Sequence, residues 1–326
     1  MLPIHLLFLA LSSVSRPTAA APIQDPLPVP PPPVDSPQGK PVEPNASPTT
    51  AQLPELVPGA LPANASPDAV ALWSKIRAST GSAGAPAPVT SFELRFDGRG
   101  WDAQGNNTDF NEGRIRFLSP GFVDSALQKN GRRRIRGPKG DWMLDANGGK
   151  FRLSGVEMEN DRRELDQIAH LARTFANLID SRNLRVRALS LMPGAPFPIP
   201  AAMKSRADAL KWIEVVSPDF ALLGSDGKRS QRDVRAWIGV EATNARPSLA
   251  VIAEDDKGTL VHETALLVSF DKYKPLDGFQ VPYVLVTYAP DFAPSPWTFS
   301  SNPRMQLWLA DKCTLRATFA SKDFEP

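Results

Sequence analysis

The sequence predicts an α+β protein made mostly of antiparallel strands. Three observations point there. Between Val89 and Gly155, apolar and polar residues alternate in six short runs separated by turn-rich breaks such as Asp97-Gly98 and Asn147-Gly148-Gly149. A long amphipathic segment follows, with apolar residues at the helical repeat. Strand-like runs then return in the last third.

The N-terminus reads differently. Residues 1–21 hold an apolar run, Ile4 to Leu11, followed by small residues. This is the pattern of a secretory signal peptide and is too short to span a bilayer. It places the protein outside the cytoplasm, in a periplasm or on a cell surface. No cysteine follows the run, so a lipid-anchored lipoprotein is not expected. Residues 22–67 are proline-rich and contain no aromatic residue. Such a segment buries too little surface to offset its ordering entropy and is expected as a disordered, polyproline-like linker. The folded domain is then 68–326, and no later apolar run suggests an integral membrane protein.

The domain opens with "SPDAVALWSKIRASTG". Ser66 is a candidate N-cap with Pro67 in the first turn, and Ala69, Leu72, Trp73 and Ile76 share a face. The meander follows. Phe92, Leu94 and Phe96 alternate with Glu93 and Arg95, and Ile115 and Phe117 with Arg114 and Arg116. In "RRRIRGPKGDWMLD" the "GPKG" is a hairpin turn. Arg132, Arg134 and Arg136 share one side of the first arm, and Arg133 and Ile135 the other. Trp142 and Leu144 share a face of the second arm, opposite Asp141, Met143 and Asp145. Most of the positive charge is expected on a wet strand face, with Asp141 or Asp145 pairing across it. Contact with an anionic ligand and a nucleic-acid patch are the alternatives. Lys+Arg is 37 against Asp+Glu 35, a net charge of only +2, which argues against nucleic acid as a partner.

"ENDRRELDQIAHLARTFANLIDS" is the clearest helix, with Leu165, Ile168, Ala169, Ala172, Phe175, Ala176 and Ile179 on one stripe. His170 sits beside the stripe with no second histidine at helical spacing. A proline cluster from Pro193 to Pro200 reads as an irregular crossover.

Chemistry is sparse. There are three histidines and one cysteine, Cys313, and no nucleophile elbow, phosphate loop or dinucleotide fingerprint. No catalytic residue, metal site or cofactor is expected. "DANGG" resembles the start of a calcium loop without the later glutamate, and "EDDKGT" is read as a solvated hairpin tip. His262 and Glu263, adjacent on a strand, face opposite sides. A carboxylate-dependent hydrolase stays open, because any two acids can meet in space.

The stretches "GRIRFLSPGFV" and "RIRGPKGDWMLD", and the couplet "DVRAWIGVEATNARPSLAVI" with "VSFDKYKPLDGFQVPYVLVTY", resemble the LolA-like family of periplasmic lipoprotein-sorting carriers. The matching features are the turn from Thr243 to Pro247, the hairpin at Lys257-Gly258, and Asp277-Gly278 with Pro282. The resemblance implies a half-open antiparallel barrel curved around a few helices. It also implies a concave apolar face that takes lipid or lipoprotein acyl chains without catalysis. Alternation makes Phe92, Leu94, Phe96, Ile115, Phe117, Trp142 and Leu144 the candidate wall, with Leu72 and Trp73 on the helix and Arg133 available to a headgroup. The same residues would form an ordinary filled core in a structural or protein-interaction module of the cell envelope. The long proline-rich segment departs from a simple shuttle and favours a tethered or surface-displayed relative.

Overall fold

The computed structural model describes residues 56–85, 87–101, 105–107, 111–127, 131–222, 233–256, 259–291 and 298–326. The expected signal peptide and residues 22–55 of the expected linker lie outside the described residues, as do Lys257 and Gly258 of the "EDDKGT" tip and the side chains of His262 and Glu263. Residues 56–66, placed in the linker by composition, run along the domain. The Gly59 N–H donates to the Leu184 carbonyl at 2.8 Å, and Leu61 and Ala65 pack on the core.

Helix α1 spans Pro67–Ser79; Ser66 caps it by accepting from the Ala69 N–H at 3.2 Å. Six strands follow as an antiparallel meander: β1 Ser91–Gly100, β2 Asn111–Leu118, β3 Phe122–Leu127, β4 Arg133–Gly137, β5 Gly140–Leu144 and β6 Lys150–Arg152. Helix α2, Glu159–Ile179, comes next, then β7 Ala188–Met192, α3 Ala201–Asp208 and β8 Lys211–Ser217. The last strands are β9 Asp233–Val240, β10 Pro247–Asp256, β11 Thr259–Leu276, β12 Phe279–Tyr288, a small pair β13 Pro290–Asp291 and β14 Thr298–Phe299, then β15 Met305–Leu309 and β16 Thr314–Leu315.

Fourteen of these strands form one sheet in the order β6-β5-β4-β3-β2-β1-β15-β12-β11-β10-β9-β8-β7, with β16 beside β1. The first meander walks outward from β1 to the edge at β6. Helix α2 carries the chain to the opposite edge at β7. A second meander walks back to β12, and β15 joins the halves by pairing with both β1 and β12. The sheet stays open, because β6 and β7 do not pair. This is the expected α+β, antiparallel, half-open arrangement around helices.

The core lies on the inner face, under α1 and α2. Phe92, Leu94, Phe96, Ile115 and Phe117 meet Ile213, Val215, Ala236, Ile238, Ala250, Ile252, Leu266 and Val268 there. A second, smaller core sits on the outer face of β8–β11, where Trp212, Trp237, Leu249, Val251 and Leu267 are covered by α3, the proline crossover through Phe197, and Phe299 of β14. Both faces of these strands are buried, so they carry near-continuous apolar runs rather than strict alternation.

The register corrects one expectation. Cross-strand neighbours share a face, and the chain of partners Leu94, Ile115, Ser125, Arg134, Met143 runs across β1 to β5. Arg134 and Arg136 therefore point inward, and both are buried. Arg133, Ile135, Trp142 and Leu144 point outward, away from the face that holds Phe92, Leu94, Phe96, Ile115 and Phe117. The basic run is not a wet strand face. The physical reason is the acidic start of α2, which lies over β4 and supplies the counter-charges described next.

Candidate functional site: the inner face and its covering helix

The site is the apolar inner face together with α2. At the β1–β2 end Phe92 stacks on Phe117 with ring centres 5.1 Å apart, and Phe175 of α2 meets Phe92 edge-on at 5.2 Å. Trp73 of α1 is buried in the same core, and Leu72 packs against it half-buried. Of the residues expected to line a cavity, the structure brings together Leu72, Trp73, Phe92, Leu94, Phe96, Ile115 and Phe117. It does not bring Arg133, Trp142 and Leu144 to them.

Helix α2 is fastened at both ends by charge and in the middle by apolar packing. Arg134 reaches Asp161 and Glu164, each at 2.6 Å. Arg136 binds Asp141 across the hairpin at 2.7 Å and Asp166 of the helix at 2.6 Å. Arg136 is held above the usual arginine range: burial pushes it down, but the bonds to Asp141 and Asp166 outweigh that. At the other end the fully buried Asp180 accepts from the Val89 N–H at 2.9 Å and pairs with Arg182 at 2.7 Å. Between the ends, Asn177 donates to the Asp219 carbonyl at 3.0 Å and Arg173 donates to the Ala221 carbonyl.

His170 is the exception. It is buried on α2, and neither ring nitrogen has a hydrogen-bond partner. Burial, then the charges of Arg173 and Arg136, lower its pKa from 6.5 to about 3, so the ring is neutral at ordinary pH. Arg136 Nη1 is likewise buried without a partner. A buried polar group left unpaired costs about 1–3 kcal/mol, so His170 makes the middle of α2 seat less favourably than its far end at Asp180.

Where α2 meets β11 and β12, Phe175, Leu178 and Ile179 face Phe270, Tyr273 and Pro282 around a void of about 10 Å³. That is at the lower limit for one water. Tyr273 closes one wall and donates its hydroxyl to the Pro247 carbonyl at 2.7 Å. Burial, followed by the charge of Glu241, holds its phenol well above the usual tyrosine range.

The buried carboxylates Asp124, Asp141, Asp180 and Asp219 are each engaged by an arginine. Among the described residues no three His, Cys, Asp or Glu side chains lie together as metal ligands. In the "DANGG" turn the Asp145 carboxylate accepts from the N–H groups of Asn147 and Gly149, at 2.9 and 2.8 Å. No described helix is long and apolar enough to cross a membrane. Sequence reasoning missed Arg134 and Arg136 as the charged framework of the site. The available signal was the acidic series Asp161, Glu164, Asp166 on the first half of α2, which calls for cations on whatever that helix covers.

No sequence-family profile and no curated protein matches the chain. Solved structures do resemble it. An outer membrane lipoprotein-sorting protein domain from Vibrio parahaemolyticus aligns at 13% identity and TM-score 0.42, covering 78% of this chain and 95% of its own. A DUF1329 family protein from Desulfovibrio piger aligns at 13% identity and TM-score 0.44, covering 79% and 96%. A LolA superfamily protein from Nitrosomonas europaea aligns at 13% identity and TM-score 0.40, covering 78% and 97%. The chain is similar to these proteins in fold alone.

Proposed function

We propose that the chain is an exported, non-enzymatic protein that binds an apolar or acylated ligand, such as lipid or lipoprotein acyl chains, on the inner face of its sheet. One observation carries the reading. A single helix, α2, covers the apolar β1–β2 and β11–β12 parts of the inner face, and its middle is seated through an unsatisfied buried histidine. In this reading α2 is a gate. Its charged ends act as hinges, and its apolar stripe occupies the surface that an acyl chain takes when the helix lifts. Each methylene transferred from water contributes about 0.8 kcal/mol. A chain of a dozen carbons contributes about 10 kcal/mol toward the apolar contacts α2 gives up.

The second reading is a structural or protein-interaction module of the cell envelope with a permanently filled core. The small void beneath α2 favours it, because space of about 10 Å³ admits no acyl chain unless the helix moves.

Native mass spectrometry of the full chain, purified from a membrane-containing host and followed by lipid extraction, separates the two. A stoichiometric lipid adduct supports the carrier reading, and Phe175→Ala, which enlarges the space under α2, then raises the occupancy. A clean apo mass, together with no response to a fluorescent fatty acid, sinks it and leaves the envelope module.

A further inference from the structure

On the outer face of β1–β4, on the other side of the sheet from α2, arginines are concentrated locally. Two adjacent cross-strand rows run there. One is Arg95, Arg114, Ala126, Arg133 and the next is Glu93, Arg116, Asp124, Ile135. Three guanidinium groups converge on the single carboxylate of Asp124. Arg133 binds it through Nε at 2.7 Å and Nη2 at 3.1 Å, Arg114 through Nη2 at 3.2 Å, and Arg116 Nη1 stands 3.7 Å away. Arg116 and Arg95 share Glu93, at 2.9 and 3.2 Å.

Within these two rows four cations face two carboxylates. Each guanidinium brings five N–H donors, far more than two carboxylates can accept. Arg114 shows the imbalance directly, since its Nε is buried without a partner. Burial pushes Arg114 below the usual arginine range, and the like charges of Arg116 and Arg133 push the same way against the pull of Asp124. The patch stays open to solvent: the Arg114, Arg116 and Arg133 side chains are 27%, 27% and 28% exposed, and Arg95 50%. Asp97 and Glu112 bound it on one side, one row further along β1 and β2. The Phe319 ring stacks 5.4 Å from the Arg116 guanidinium and walls the other.

We infer that Arg95, Arg114, Arg116 and Arg133 form a binding site for a phosphate-class oxyanion on the outer face of the sheet. Guanidinium forks match the spacing of phosphate oxygens and bind them in pairs. Asp124 and Glu93 hold the forks in place and leave outward N–H groups unspent. The site is independent of the inner face and of whether α2 moves. The oxyanion has two sources, a phospholipid headgroup or free phosphate.

The test uses the full chain with two probes. One is inorganic phosphate, followed by NMR of the arginine side chains. The other is co-sedimentation with vesicles of phosphatidylcholine alone or mixed equally with phosphatidylglycerol. Binding to an anionic surface falls about fivefold for each arginine removed. Retention on the phosphatidylglycerol vesicles alone, weakened in both Arg95→Gln and Arg114→Gln, supports the site with a headgroup as its source. Saturable shifts of Arg114 and Arg133 with phosphate but no vesicle retention support it with free phosphate as the source. Arg95→Gln touches only the exposed edge and keeps Asp124 paired, so its effect is not one of folding. Arg114→Lys keeps the charge and loses the fork, and weakens phosphate binding if the fork matters. No response to either probe overturns the inference, as does a response unchanged in both glutamine variants.

Discussion

His170 is the residue whose behaviour is easiest to separate from its surroundings. The charged groups acting on it are Arg173, on its own helix, and Arg136 of β4. Its folded pKa of about 3 lies below the unfolded value of 6.5, so the unfolded chain binds the extra proton between them. Stability from this residue is complete above pH 6.5 and is lost as pH falls toward 3. Between pH 6.5 and 4.5, where most carboxylates stay ionised, the slope approaches about 1.4 kcal/mol per pH unit. Urea midpoints measured across that window should decline in the natural chain and stay flat in His170→Leu; parallel declines would rule His170 out as the cause. Gly137 is a second residue with a single role. A Cβ there would meet the Phe324 carbonyl oxygen at 1.9 Å, so Gly137→Ala should expel the 319–324 segment from the outer face of β3 and β4. Loss of amide protection confined to residues around Phe324 is the expected signature.

At the scale of elements, α2 and the first meander were legible because period 3.6 and period 2 are both strong in those stretches. Which face of the hairpin β4–β5 points inward was not. Alternation says that Arg134 and Arg136 go together and that Trp142 and Leu144 go together; it does not say which pair meets the core. Composition favoured the tryptophan. The deciding charges, Asp161, Glu164 and Asp166, lie outside the hairpin and reach it only through the fold. The outer core at Trp212 and Trp237 was hidden for a related reason, although runs such as "LAVIA" and "ALLVSF" carry the two-sided signature. The hairpin makes a sharp prediction. Arg136→Met leaves Asp141 buried and uncompensated, at a cost of about 3–5 kcal/mol. Arg136→Met with Asp141→Leu should recover most of it, and chemical denaturation of the single and double variants measures the difference.

For the whole molecule, the notable feature is that the two meanders of the sheet meet through β15. Leu307 at its centre is buried and stands opposite Gly98 on β1 and Leu285 on β12. Leu307→Ala should cost about 2–5 kcal/mol and lower hydrogen-exchange protection in β1 and β12 together, whereas a core change within one meander should act on that half first. The placement of β15 also sets a timetable. Along the chain β1 lies far before residues 305–309 while β12 closes shortly before them, and until β15 pairs each offers a bare row of N–H and C=O groups. Such edges recruit other chains, and long-range pairings of this kind form slowly. A chain folding before β15 has docked therefore carries two sticky borders with no strand yet to join them.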